Sequence, residues 1–177
     1  MLRINSGFLR NRLIHVPTGL VTRPTQSRTR AAIGNMLQPY LEGAKILDAF
    51  AGSGALGIEL ISRGADSCLF IEQSSKVCDL LHQSIKLLGI ESQCHVLCGA
   101  LPGALKNVTD RDIIIADPPY GQDWHARLLE PFAVAASQQA YLCFEREKKD
   151  MSLGAVPWVL KKDKLYGDTR VTLYERS

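Results

Sequence analysis

Between Ile113 and Tyr120 the chain reads Ile-Ile-Ile-Ala-Asp-Pro-Pro-Tyr, and no other stretch narrows the possible architectures as much. Its first four residues are apolar and three are β-branched, which suits a strand covered on both faces, as in a parallel sheet. Pro118 and Pro119 then end the strand, because neither has an N–H and each pushes its predecessor out of helical geometry. The chain must leave the strand as a stiff, extended loop carrying the Asp117 carboxylate, unladdered backbone carbonyls and the Tyr120 ring. In open α/β folds ligands bind at that carboxyl edge. Acceptors beside a flat ring suit a planar group bearing an NH2, such as a nucleobase or an amide.

The flanking sequence supplies the partners such a strand needs. Strands are expected over Lys45 to Ala49, Ser67 to Glu72, His95 to Cys98 and Gln139 to Glu145. Helices are expected over Gly54 to Arg63, Ser75 to Leu88 and Trp124 to Ser137, with a short one near Leu101 to Lys106. Alternation of this kind means βαβ units and a mostly parallel sheet. Near the C-terminus Trp158 to Tyr166 and Arg170 to Tyr174 flank Gly167-Asp168-Thr169, which reads as a hairpin and adds an antiparallel pair. At the other end, residues 2 to 16 read as two short strands around a turn, a small appendage. Thr25 is placed to cap a helix running through Ile33, Met36 and Leu37 toward Pro39, weakened by Gly34. The 177 residues suffice for one full core. They divide into a basic N-terminal extension, residues 1–40, and an α/β domain, residues 41–177.

Charge is uneven. The total is +3, yet Arg3, Arg10, Arg12, Arg23, Arg28 and Arg30 all precede Glu42, the first acidic residue. The remainder is therefore net negative. An arginine-only arm suits a polyanion, since guanidinium pairs bidentately with phosphate, although a solvated surface gives the same pattern. Lys148, Lys149, Lys161, Lys162 and Lys164 lie among Glu145, Glu147, Asp150 and Asp163 and read as solvated surface. No apolar run approaches the roughly 20 residues of a bilayer span, and the N-terminus lacks a signal-peptide layout, so a cytoplasmic protein is expected. The five cysteines and four histidines form no ligand array, so no metal is expected.

After the first parallel strand comes Asp48-Ala49-Phe50-Ala51-Gly52-Ser53-Gly54-Ala55-Leu56-Gly57, which satisfies GxGxxG, with Glu72 closing the next strand. A dinucleotide-dependent hydride-transfer enzyme would show the same spacing. Two features favour S-adenosylmethionine instead: Asp48 would oppose a pyrophosphate but attract an ammonium, and Asp-Pro-Pro-Tyr has no part in hydride chemistry. Glu72 would accept from the ribose hydroxyls.

Together, Asp-x-Phe-x-Gly-Ser-Gly, Glu72 and Asp117-Pro118-Pro119-Tyr120 resemble a class I methyltransferase acting on an exocyclic nitrogen. The whole chain resembles the bacterial RsmD family of 16S rRNA guanine-N2 methyltransferases. The likeness runs from Gly7 and Arg12 through Arg23-Pro24-Thr25, Arg28-Thr29-Arg30, Phe50 to Gly57 and Ser62-Arg63-Gly64-Ala65 to Tyr166-Gly167-Asp168-Thr169. It implies a Rossmann-like, seven-stranded, mostly parallel sheet with an antiparallel C-terminal strand and a small N-terminal hairpin and helix extension. It also implies a substrate of 16S rRNA within an assembled or assembling small ribosomal subunit, and a monomer is expected. Residues expected at the cofactor are Asp48, Ala49, Phe50, Gly52, Ser53, Gly54, Leu56, Glu72, Gln73, Gly99, Ala100 and Asp117. Arg10, Arg12, Arg23, Arg28 and Arg30 are expected at the RNA. Ala31, Gly34, Ser84 and Gly99 depart from the family's usual residues, and adenine is expected to be read by backbone near Gly99-Ala100.

For catalysis, Asp117 and the Pro118 carbonyl are expected to accept the two amine hydrogens, Pro119 to stiffen the loop and Tyr120 to stack on the extruded base. Two rival readings are a DNA adenine-N6 methyltransferase and a non-catalytic RNA-binding module. Trp124 suits either closing the pocket or core packing, and no histidine is expected in catalysis.

Overall fold

A computed structural model describes residues 1–17, 24–119, 123–150 and 156–177. A two-stranded hairpin, β1 (Leu2–Arg3) with β2 (Leu13–Ile14), precedes helix α1 (Pro24–Leu37). Next come β3 (Lys45–Asp48), α2 (Ala55–Ser62), β4 (Ser67–Glu72), α3 (Ser75–Leu88), β5 (Cys94–Cys98) and β6 (Arg111–Ala116). The chain closes with α4 (Trp124–Ala135), β7 (Ala136–Glu147), β8 (Trp158–Tyr166) and β9 (Thr169–Arg176). The short helix expected near Leu101 is a single 3₁₀ turn, Gly103–Leu105.

The seven strands from β3 onward form one sheet in the order β5-β4-β3-β6-β7-β9-β8. Neighbours from β5 through β7 pair in parallel, and β9 runs antiparallel to both β7 and β8. The strand order reverses beside β3, whose neighbours are β4 and β6. In such sheets a crevice opens there at the carboxyl ends.

Strand period puts alternate residues on opposite faces. Accordingly Ile113 and Ile115 join the core beneath α1, α2 and α3, while Ile114 and Ala116 join the core beneath α4. All four are at most 2% exposed, as a sheet covered on both faces requires. Among the described residues, no helix is long and apolar enough to cross a membrane.

The N-terminal hairpin is not the appendage expected. Ile4, Leu9 and Ile14 are buried in the same core as Ile33, Leu37 and Ile46. Ser62 anchors the hairpin: its carbonyl accepts from the Phe8 N–H at 2.9 Å and its Oγ from the Leu9 N–H at 2.8 Å. Ser84 accepts from the His15 N–H at 2.9 Å. The boundary at residue 40 thus divides topology and not packing. Helix α1 starts at Pro24, so Thr25 lies in its first turn instead of capping it; proline suits that first position because its missing N–H is not needed there.

A buried charge cluster ties α1 to α2. Glu59 is fully buried, within 3.5 Å of Arg30 Nε and 3.2 Å of Arg63 Nη2, and accepts from the Asn5 N–H at 2.9 Å. A carboxylate without such partners would be expensive to bury. Gly34 belongs to this cluster by absence: a Cβ there would lie 2.6 Å from Arg63 Cζ.

Candidate active site

A cavity of about 840 Å³ opens at the carboxyl ends of β3, β4, β6 and β7. One half is lined by the glycine loop (Phe50, Gly52, Ser53, Leu56) with Glu72 and Gln73 from the end of β4 and Gly99 from the end of β5. The other half is lined by Asp117, Pro118, Pro119, Trp124 and Glu145. Asp48 lines it as well, and Leu2, Val16, Thr29 and Arg30 bring the N-terminal segment to its wall.

The glycine loop is held from two sides by acids. Asp48 Oδ2 accepts from the Gly57 N–H at 3.0 Å, fixing the first turn of α2 onto β3. Gly57 is required there, since a Cβ would stand 2.4 Å from Phe70 Cε1 and 2.9 Å from Asp48 Oδ2. Glu72 accepts from the Gly52 N–H at 3.0 Å and the Ser74 N–H at 2.8 Å, one per oxygen. Each oxygen keeps a further lone pair for a hydroxyl. A Cβ on Gly52 would meet no protein atom within 4 Å, so the loop leaves space where it lines the cavity.

Four carboxyls line this cavity: Asp48, Glu72, Asp117 and Glu145. Burial pushes the Asp48 carboxyl up to about 7; the Gly57 N–H opposes the rise, while Asp117 and Glu72 add to it. Asp117 is open to the cleft, but protein atoms surround it there, and burial raises it to about 6. Glu145 is raised well above the ordinary range, first by burial and then by the Asp117 and Asp48 charges. A cation placed among these acids would favour their ionised forms and be held by them.

Aromatic rings close the outer side. Trp124 meets Phe50 edge to face, centroids 5.2 Å apart, with the Arg127 guanidinium 4.3 Å above the indole. Trp124 therefore belongs to the pocket wall. His125 faces away from the chemistry: its Nε2 lies 3.0 Å from the Tyr174 hydroxyl, and burial followed by Arg146 lowers it to about 4.

Of the residues expected at a cofactor, Asp48, Phe50, Gly52, Ser53, Leu56, Glu72, Gln73, Gly99 and Asp117 line the cavity. Ala49, Gly54 and Ala100 do not: the Ala49 N–H is spent on the Ile115 carbonyl and the Gly54 N–H on the Ala51 carbonyl. Pro118 and Pro119 are at the cavity; Tyr120 and Arg23 lie outside the described residues.

The arginines separate. Arg10, Arg12 and Arg28 are exposed, whereas Arg30 is 7% exposed, held by Glu59 and by its own bond of 3.0 Å to the Arg3 carbonyl. Glu59 thus draws Arg30 inward, to the cavity wall, while the other three face solvent. Glu145, expected on a solvated surface, is corrected: it lines the cavity. No local signal marks it; its place depends on β7 lying beside β6.

A family model described as conserved hypothetical protein 95 matches residues 2–175. Ribosomal RNA small subunit methyltransferase D of Escherichia coli (strain K12) is 32% identical over 180 residues, covering 99% of this chain and 90% of that protein. The chain belongs to the RsmD family. Solved structures agree with this placement. That of yhhF from Escherichia coli has a TM-score of 0.89 at 30% identity, covering 99% of this chain and 98% of the other. That of HI0767 from Haemophilus influenzae has a TM-score of 0.83 at 28% identity, with the same coverage. The sheet is thus the class I methyltransferase fold common to the RsmD family, with its antiparallel strand β9 near the C-terminus.

Proposed function

We propose that this RsmD-family enzyme is an S-adenosylmethionine-dependent methyltransferase that modifies the exocyclic N2 of a guanine in 16S rRNA. The observation that carries the reading is that the glycine loop with Glu72 and the Asp117-Pro118-Pro119 loop line one continuous cavity. The small-subunit rRNA methyltransferases among its relatives support the substrate class.

The residues present fit the cofactor. Gly52 leaves room for it, Glu72 has lone pairs for two ribose hydroxyls, and acid-lined walls suit a sulfonium and an ammonium while opposing a dinucleotide's phosphates. Bound there, S-adenosylmethionine supplies an electrophilic methyl group. The chain's own work concerns the amine. Guanine N2 is a poor nucleophile because its lone pair is delocalised into the ring. Asp117 and the Pro118 carbonyl accept its two hydrogens, which turns the lone pair away from them and toward the glycine-loop half. As positive charge develops on nitrogen, the same fixed acceptors stabilise it. Asp117 then takes the proton that the methylated nitrogen sheds.

The extruded base enters between the carboxylates and the Trp124 wall, with Tyr120 as its stacking partner. RNA is held by Arg10, Arg12, Arg23 and Arg28, with Phe8, 65% exposed near Arg10, offering a ring for stacking. The substrate is RNA folded in an assembled or assembling small subunit, bound by a monomer in the cytoplasm.

The test is transfer of a labelled methyl group to small-subunit particles and naked 16S rRNA from cells lacking the gene, followed by nucleoside analysis. N2-methylguanosine is expected. N6-methyladenosine, or activity confined to DNA, would overturn the reading.

A further inference from the structure

Glu145 has no part in that mechanism, yet it shares the cavity with Asp117. Strands β6 and β7 are parallel, with Ile115 opposite Cys143 and Ala116 opposite Phe144. Extending this register by one residue sets Asp117 beside Glu145, on strands about 4.8 Å apart and pointing to the same face. Asp48 pairs with Ile115 and so shares that face too. Among the described residues Glu145 forms no ion pair, and the charges bearing on it are the two acids. A half-buried carboxyl set among others, with nothing of opposite sign among the described residues to hold it, is costly to keep ionised and gains little from packing alone. Burial and these neighbours raise its pKa, so it ionises only at alkaline pH, and once ionised it is an acceptor waiting for a donor.

The bound base supplies one. The edge of guanine that carries N2 also carries N1–H, so two donors project side by side. Adenine offers a donor and an acceptor on the corresponding edge, and an ionised carboxylate facing its N1 lone pair is repelled. We infer that Glu145 is a specificity-determining residue that accepts the guanine N1–H while Asp117 engages the N2 amine. This rests on the guanine-N2 reading above. Adjacent strands thereby read the two neighbouring atoms of one base edge, and the strand spacing sets which base fits.

The experiment replaces the target guanosine with 2,6-diaminopurine, which keeps the 2-amine but presents N1 without hydrogen. A synthetic RNA spanning the mapped target is used, naked or assembled, in whichever form the wild type methylates, at alkaline pH. The wild type should prefer guanosine by about 10- to 100-fold in kcat/KM, the range expected for losing a hydrogen bond to a charged group. Glu145→Gln should narrow that preference to about threefold, because a rotating amide presents either an oxygen or an NH2 to N1. Glu145→Ala should slow both substrates and also lose the preference.

A merely structural role would lower both rates together and leave the ratio at the wild-type value, which overturns the inference while leaving the guanine-N2 reading intact. Loss of adenosyl-homocysteine affinity in Glu145→Gln, measured by calorimetry, would assign the carboxylate to the cofactor half and overturn it as well. Methyl transfer by the wild type to a different base would remove both proposals together.

Discussion

Asp48→Asn offers a direct measure of the strain that the acid cluster places on the fold. Asp48 is 5% exposed, and its carboxyl rises from the ordinary 3.8 to about 7 in the folded chain. A group raised in this way favours the folded state fully below its unfolded value, and that contribution is lost as pH climbs through the folded value. Across the interval from 3.8 to about 7, at about 1.36 kcal/mol per unit of pH, the loss amounts to about 4 kcal/mol. By about pH 5 some 1.5 kcal/mol is already gone, so the part measurable between about pH 5 and pH 8 is roughly 2 to 3 kcal/mol.

Asparagine keeps an oxygen to accept from the Gly57 N–H but carries no charge, so Asp48→Asn should not show that loss. Urea denaturation of the ligand-free wild type and variant at the two pH values gives the difference, with titrating groups that do not interact with Asp48 cancelling and the release of Glu145 from the Asp48 charge adding to the variant's gain. The variant should gain on the wild type by roughly 2 to 3 kcal/mol as pH rises. A wild-type-minus-variant difference that stays flat, or moves the other way, would refute the claim that Asp48 is ionised at a cost to the fold. Saturating S-adenosylmethionine should shrink the gain, because its positive charge favours the ionised acid.

Asp117→Ala should lower kcat by at least about 100-fold while calorimetric cofactor affinity stays largely intact; near-normal turnover would sink its role. With Asp117 at about 6, wild-type kcat/KM should fall about tenfold per pH unit below that value as the acceptor becomes protonated, and a profile flat to pH 5 would count against it. Glu59→Gln leaves Arg30 and Arg63 buried without a counter-charge and should cost about 3–5 kcal/mol in urea denaturation; a change below about 1 kcal/mol would deny the cluster its structural role. Arg10→Ala, Arg12→Ala and Arg28→Ala should each weaken RNA binding and reduce its salt dependence by about one counterion, whereas Arg30→Ala should mainly lower thermal stability.

Much of the fold is readable in the sequence because its signals are local. Ser67–Glu72 and Ser75–Leu88 form the expected strand and helix at the expected bounds, since short apolar runs and helical periodicity act within a few residues. The proline pair after Ala116 stops β6 for reasons internal to those residues, and the glycine loop is legible as spacing alone. The terminal hairpin is likewise announced by Gly167-Asp168, although β9 begins at Thr169 and extends to Arg176. Less local features were not legible. Helix α1 begins at Pro24, one residue before the expected cap, and the hairpin packs into the core because burial of Ile4, Leu9 and Ile14 against α1 and α2 cannot be seen from residues 2 to 16.

The sequence alone determined that a parallel sheet ends in a glycine loop and an acid-proline loop, because backbone sterics and side-chain period act over neighbouring residues. Only the tertiary structure decided which charges face each other. Arg30 and Arg28 stand two residues apart on one helix, yet Glu59 on another helix buries the first and leaves the second in solvent. Glu145 looks like one more surface acid until β7 lies beside β6 and sets it next to Asp117. Charge interactions depend on distance and burial, and both are settled only when the strands take their order.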